Sequence, residues 1–340
     1  MSRFLLLTCV LSALQASAAF GAPREYDVLR ALPVGRFAAI TAGDKPDAQG
    51  LTGSNHLNGS WLEAGPQRGS CRAVIAGVIA DDLVAADHAW RGIEVAFAHQ
   101  RADGGFEAAI RPNGASANPT NAAVETAFFF LQELGRAILV IRQSPHEAHF
   151  QVRIAALEPK LRRATDFISA GYDTIIASSS KAVNRIIIAA KAFGTCGVVL
   201  QDEKLIALSR KLIAHALTLR DPEGVFIENG GRDSSYNVVS ILFGQVLALH
   251  VALPEFEAAL PAAVAWQLTR ILPSGEIDVS GNSRTGVGKE KSYFGTPKNV
   301  NYKEIILALT LYGQVHEDPA CLSAAERVFN YAEKHNLTTK

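Results

Sequence analysis

The sequence predicts an all-α protein built from about five antiparallel helical hairpins, and three observations carry that expectation. Apolar residues recur at helical spacing over most of the chain from Cys71 onward, almost no segment of useful length alternates as a strand does, and short and long connections follow one another in turn. With 340 residues, 48% hydrophobic and 19% charged, the chain buries enough apolar surface to offset the entropy of ordering. A disordered chain and a small disulfide-stapled scaffold are both excluded.

The elements follow in order. Met1 to Arg3 give a short positive start, Phe4 to Leu14 an apolar run too short to span a bilayer, and Ala16-Ser17-Ala18 a small-residue cleavage pattern. Residues 1–19 therefore read as a secretory signal peptide, and the mature protein as secreted or periplasmic. Cleavage after Ala18 or Ala19 removes Arg3 and Cys9 and takes the formal net charge from 0 to −1. Cys9 lies in the middle of the apolar run rather than at its end, which argues against a lipid-anchored cysteine. No later stretch offers about 20 consecutive apolar residues, so no stable membrane anchor is expected. Cys71, Cys196 and Cys321 remain, with scattered spacing that fits no zinc site, and are expected as buried free thiols rather than a disulfide framework.

Residues 20–70 are rich in Gly, Pro, Asn and Ala and read as an irregular covering segment around a short helix near Asp27 to Ala31. Residues 71–340 form the helical domain, with helices expected at 71–100, 120–143, 148–170, 181–194, 201–219, 235–251, 254–271, 301–314 and 319–335. A break near Asp81 and Asp82 splits the first into two, which completes five pairs. Short turns at 144–146, 197–201, 253–254 and 316–319 close the pairs at one end. The opposite end carries long polar, glycine-rich segments at 102–119, 171–180, 221–235 and 273–300, and long loops on one rim of a rigid scaffold are where binding and catalysis gather.

Three of these rim loops open alike: Asp103-Gly104-Gly105-Phe106, Pro222-Glu223-Gly224-Val225-Phe226 and Pro273-Ser274-Gly275-Glu276-Ile277. The pattern predicts a glycine turn followed by an apolar residue tucked under the rim. Each rim segment delivers an asparagine at the start of the next helix, Asn121, Asn184, Asn237 and Asn301, at spacings of 63, 53 and 64 residues. A helical hairpin plus a loop occupies about that length.

Hairpins repeating at this length, with short turns on one side and Gly-Phe loops on the other, are similar to the (α/α) toroid of secreted polysaccharide lyases and glycoside hydrolases. The resemblance covers residues 71–335 and is to the superfold rather than to one family. It implies an incomplete (α/α) toroid of about five hairpins, with a glycan-binding cleft formed by the inner-helix starts and their loops.

The densest polar segment is Glu228-Asn229-Gly230-Gly231-Arg232-Asp233-Ser234-Ser235-Tyr236-Asn237, entering the apolar run Val238 to Phe243. Its Gly-Xaa-Asp-Ser-Ser-Tyr stretch resembles rim segments of toroid polysaccharide lyases. A plain helix cap by Asp233 or Ser234 accounts for part of it. β-Elimination from a uronic acid needs neutralisation of the carboxylate, a base for the adjacent proton and an acid for the leaving oxygen. Arg232, Asn237, Asn121 and Asn184 suit the first role, and Tyr236 the proton transfer, with neighbouring cations lowering its pKa and Tyr302, Tyr293 or His56 next in line. Asp233 completes the catalytic set, while Asn121, Asn184, Asn301, Tyr302, Arg284 and Glu228 are assigned to substrate binding. The basic residues Arg284, Lys289, Lys291, Lys298 and Lys303, against Asp278, Glu290 and Glu304, favour an anionic polysaccharide or oligosaccharide.

The alternatives are an inverting glycoside hydrolase, drawing two carboxyls from Glu107, Glu125, Glu228, Asp233, Glu276 and Asp278, and a non-catalytic glycan-binding protein. A pI near 7.1 argues against nucleic acid as the partner. No residue pattern calls for a cofactor or a metal. Ser178 to Lys181 carries a Ser-Xaa-Xaa-Lys spacing that lacks every accompanying motif and reads as chance.

Overall fold

A computed structural model describes residues 23–33, 36–109, 119–291 and 295–338, apart from the side chains of 119–121. The signal peptide expected at 1–19 and Tyr293 lie outside the described residues, as does the side chain of Asn121. Fourteen α-helices are present among the described residues, and β-pairing there is limited to isolated bridges. The chain is all-α.

Five antiparallel pairs account for most of it. They are α4 (Arg68–Ile79) with α5 (Leu83–Ala98), α6 (Pro119–Gln143) with α7 (Glu147–Ala170), α9 (Val183–Leu200) with α10 (Glu203–Thr218), α11 (Ser234–Ala248) with α12 (Pro254–Thr269), and α13 (Tyr302–Val315) with α14 (Pro319–Lys334). The first members pack side by side in the order α4, α6, α9, α11, α13. α9, α11 and most of α13 are buried all round, as helices apolar on every face must be. The second members are buried on one side only, for example at Leu205, Ser209, Leu212 and Ala216 of α10.

The N-terminal ends of these inner helices meet on one face. Asn301 N donates to Ser235 Oγ at 3.1 Å, Asn229 N to the Lys181 carbonyl at 2.7 Å, and Arg185 pairs with Glu125 at 3.1 Å. On the opposite face α1 (Glu25–Arg30) lies across the helix C-termini. Tyr26 N reaches Gln143 Oε1 at 3.0 Å, Arg30 the Ile79 carbonyl at 3.1 Å, and the carbonyl of Ala31 accepts from Gln314 at 3.2 Å. α1 and α2 (Arg36–Thr41) both touch α4 and α13, the two ends of the inner series.

Three local expectations need correction. Residues 20–70 are more helical than their composition implies, holding α1, α2 and α3 (Gly53–Asn58), because Val28, Leu29, Phe37 and Ile40 are drawn into the main core. The segment 171–180 is helix α8 (Tyr172–Ser179), not a loop, anchored by buried Ile175. α9 continues to Leu200 instead of stopping at 194. Gly194 and Gly197 are not breakers there but points of close approach: a Cβ on Gly194 would meet Ser209 Oγ at 2.7 Å, and one on Gly197 would meet Ile206 Cγ1 at 2.8 Å. The helix ends at Gln201, at φ 54°, and Asp202 caps α10.

Cys71, Cys196 and Cys321 are buried free thiols, and burial pushes Cys196 and Cys321 up to about 12. That takes thiolate chemistry away from them at neutral pH.

Candidate functional site

The rim is built on the three repeated loops, and they fold alike. Gly104, Gly224 and Gly275 have φ of 89°, 85° and 90°, each closing a tight turn onto the residue three before it. Bridges Gln100 to Phe106, Arg220 to Phe226 and Ile271 to Ile277 then turn the chain back. Phe106, Phe226 and Ile277 are buried beneath their loops. These turns brace the second helix of the following pair: a Cβ on Gly104 or Gly275 would collide with the carbonyl of Arg163 or Arg327.

From this frame the chain 279–291 folds over the start of α11, and Asp233 fastens it. One carboxylate oxygen of Asp233 accepts from Ser235 N and Tyr236 N as the helix cap, and from Thr285 Oγ1. The other accepts from Arg284 N at 2.9 Å and Thr285 N at 2.8 Å. Asn282 adds bonds to Ser234 N and Oγ.

Five charged or phenolic groups come together there. The Tyr236 hydroxyl donates to Glu290 Oε2 at 2.6 Å and accepts from Lys298 Nζ at 2.7 Å. Lys298 also pairs with Glu290 at 3.0 Å, and Arg284 pairs with Glu290 at 2.6 Å and with buried Glu228. The Arg284 guanidinium stands 4.7 Å from the centre of the Tyr236 ring, and Lys298 5.2 Å from it. Tyr236 is half-buried and Lys298 stays exposed, so the cluster opens to solvent.

Burial, then the Glu290 hydrogen bond and charge, raise the Tyr236 phenol above its ordinary value. The expected cation-lowered phenol is therefore corrected: burial and the bonded Glu290 outweigh the cations beside it, and Tyr236 stands protonated. Burial pushes Glu290 up, but hydrogen bonds from Tyr236 and Lys298 and the charges of Lys298 and Arg284 outweigh it and hold Glu290 below its ordinary value. Glu228 Oε2 is a buried oxygen without a hydrogen-bond partner. An orphan acceptor of that kind is costly unless something donates to it.

Of the other residues singled out in the sequence, several face elsewhere. Asn237 is fully buried, with Oδ1 accepting from Phe226 N and Nδ2 donating to Ala263 O and Gln267 Oε1, so it ties α11 to α12 and its own loop and does not face the rim opening. Asp233 is fully buried and saturated, a loop fastener out of substrate's reach. Arg232 is held by Asp221 at 2.5 Å and Glu223 at 2.8 Å beside Trp266, rather than free to grip a carboxylate. Asn301 caps α13 by accepting from Glu304 N, and Tyr302 stacks on Tyr331 while accepting from Ile277 N. Asn184 is buried beside the start of α9 with Oδ1 unpartnered. His56 is an exposed partner of Asp47.

The structure thus unites Tyr236, Arg284 and Glu228, and adds Glu290 and Lys298, which in the sequence are only charges in a basic loop. The Tyr236 to Glu290 bond spans 54 positions, and no local spacing signals it. Comparison with known protein-family models, curated proteins and solved structures found no match to the chain.

Proposed function

We propose that the five hairpins form an incomplete (α/α) toroid whose open rim binds an acidic glycan and cleaves it by β-elimination. The observation that carries this reading is the Tyr236 hydroxyl held between Glu290 and Lys298 at the mouth of the rim. The signal-like composition of residues 1–19 supports a site of action outside the cytoplasm.

In the proposed step a uronate carboxylate sits near Arg284, whose remaining N–H donors neutralise it and acidify the adjacent C–H. Tyr236 Oη takes that proton while its own passes to Glu290, and Lys298 stabilises charge on the phenolic oxygen. The C–O bond to the next sugar breaks, and its oxygen takes the proton back through Tyr236. No water is consumed. The products are an unsaturated uronate and a free hydroxyl.

The test is ultraviolet absorbance of the unsaturated product on a panel of uronate and neutral polysaccharides. Tyr236→Phe is expected to lower turnover by about 10²- to 10⁴-fold with the fold intact. New reducing ends without absorbance would favour an inverting hydrolase instead. One observation speaks for that second reading: Glu304 is raised, because burial outweighs Arg68, Arg72 and Lys298, while Glu290 is lowered. Carboxyls pushed apart in this way divide acid and base roles. Binding with no product of either kind would leave a glycan-binding protein.

A further inference from the structure

The end of the molecule opposite the rim holds a cavity of about 400 Å³ between α1, α2 and the last turn of α4. Its walls are apolar. Leu29 and Phe37, buried into the core from the N-terminal helices, form one side, and Ala76 and Ile79, three residues apart and so on one face of α4, form the other. The space stays open because Ala38 and Ala80, which also line it, have side chains too short to fill it. Protein interiors otherwise pack without voids of this size, and water held against an apolar lining is readily exchanged for a hydrocarbon chain.

Arg30 and Asp81 are the only polar side chains among the described lining residues, and both are exposed, so the cavity opens beside them. Arg30 Nη1 donates to the Ile79 carbonyl at 3.1 Å and to Asp81 Oδ2 at 2.5 Å, with the Tyr26 ring centre 5.9 Å from the guanidinium. The other Asp81 oxygen is bonded to His146 Nε2 at 2.8 Å. Asp81 is thus answered on both oxygens. The Nε and Nη2 donors of Arg30 are left for another acceptor, and a guanidinium grips a carboxylate through two such parallel bonds.

We infer that this cavity binds a medium-length alkyl carboxylate, its chain lying along Leu29, Phe37, Ala76 and Ile79 and its carboxylate on Arg30. At about 400 Å³ the space is near the lower end of ligand pockets, about 300–1,000 Å³, which suits a medium chain better than a long one. The cavity and the Tyr236 cluster lie at opposite ends of the hairpins, so a ligand here is independent of the glycan proposed there.

Calorimetric titration of the purified protein with octanoate, 1-octanol and acetate tests this. Octanoate should bind at least about tenfold more tightly than acetate, which lacks the chain, and about tenfold more tightly than octanol, which lacks the charge. Ala38→Phe and Ala76→Leu, which fill the cavity from its two sides, should each weaken octanoate binding by about tenfold or more. Arg30→Met should bring octanoate down to the affinity of octanol and leave octanol unchanged, while Tyr236→Phe should bind octanoate as the wild type does. Circular dichroism and melting curves establish that each variant is folded, and Arg30 and Ala38 are exposed, where substitution disturbs the core least. No octanoate binding by wild type, or equal octanoate affinity in wild type and the folded cavity-filling variants, overturns the site. Octanol binding as tightly as octanoate, or undiminished octanoate binding by Arg30→Met, overturns the carboxylate.

Discussion

The closed end and the open rim use the same kinds of side chain to opposite ends. At the closed end Glu25 bonds Arg136 at 2.6 Å and His250 at 2.8 Å, Arg136 reaches Glu133 at 3.2 Å, and Lys191 donates to Glu133 at 2.7 Å and Gln132 at 2.6 Å. Lys191 and Glu133 have no exposed side-chain surface. At the rim Arg284 and Glu290 keep 16% and 15% exposure and Lys298 45%, and Glu228 leaves an oxygen unpaired. A dry, saturated network locks α1, α6 and α9 in one arrangement. A wet, unsaturated one leaves donors and acceptors for a ligand.

The two partners of the closed-end pair respond unequally. Burial pushes Glu133 up, but Lys191, Arg136 and Arg72 together outweigh it and hold Glu133 at about 2. Lys191 is lowered to about 8, because burial and Arg136 oppose its charge and Glu133 is the main group favouring it. Glu133, with three cations around it, is the anchor.

The largest effect is therefore expected from Lys191→Met. Removing one partner of a buried pair should cost about 3–5 kcal/mol in urea unfolding, and adding Glu133→Leu should recover part of the loss. No change in Lys191→Met would mean that the closed end resembles the rim. The acid limb comes next. Since Glu133 sits at about 2 against an ordinary 4.5, its contribution is complete above pH 4.5 and is lost as pH falls toward 2. The loss should be on the order of 3 kcal/mol. Glu133→Gln should flatten that part of the stability profile, and an unchanged slope would assign the acid sensitivity to other carboxylates.

This contrast was only partly legible in the sequence. Hairpin boundaries could be read because apolar periodicity and caps such as Asp82, Asp202 and Asp318 are local. The glycine loops could be read because a positive φ demands a residue type. α8 escaped notice because Tyr172–Ser179 is short and lies between two serine- and glycine-rich borders. At the site, Tyr236 and Arg284 stood out by residue type, but Asn237 and Asp233 did too, and only packing separates them. Asn237 starts a helix like its counterparts, yet its fourth position turns it toward Gln267 of α12. Glu290 and Lys298 depend on contacts between distant segments, which residue spacing does not encode.

The smallest stability effect and the sharpest functional one should coincide at Glu290→Gln. The substitution keeps an oxygen that accepts from Tyr236 and removes the carboxylate proposed to receive its proton. Because the cluster is open to water, the stability change should stay within about 1 kcal/mol in the same urea experiment. Turnover on a uronate polymer should nevertheless fall by about 10²-fold, since the phenol then has no neighbouring group to take its proton. The pH profile adds a readout that a structural role would not move. Glu290 is held below its ordinary value, so the acid limb of wild-type activity should lie below the usual glutamate range and disappear in Glu290→Gln. A loss of several kcal/mol with normal turnover per folded molecule would show the opposite, that the rim charges lock the loop 279–291 as the closed-end charges lock α1, and the proton-transfer role would have to leave Tyr236.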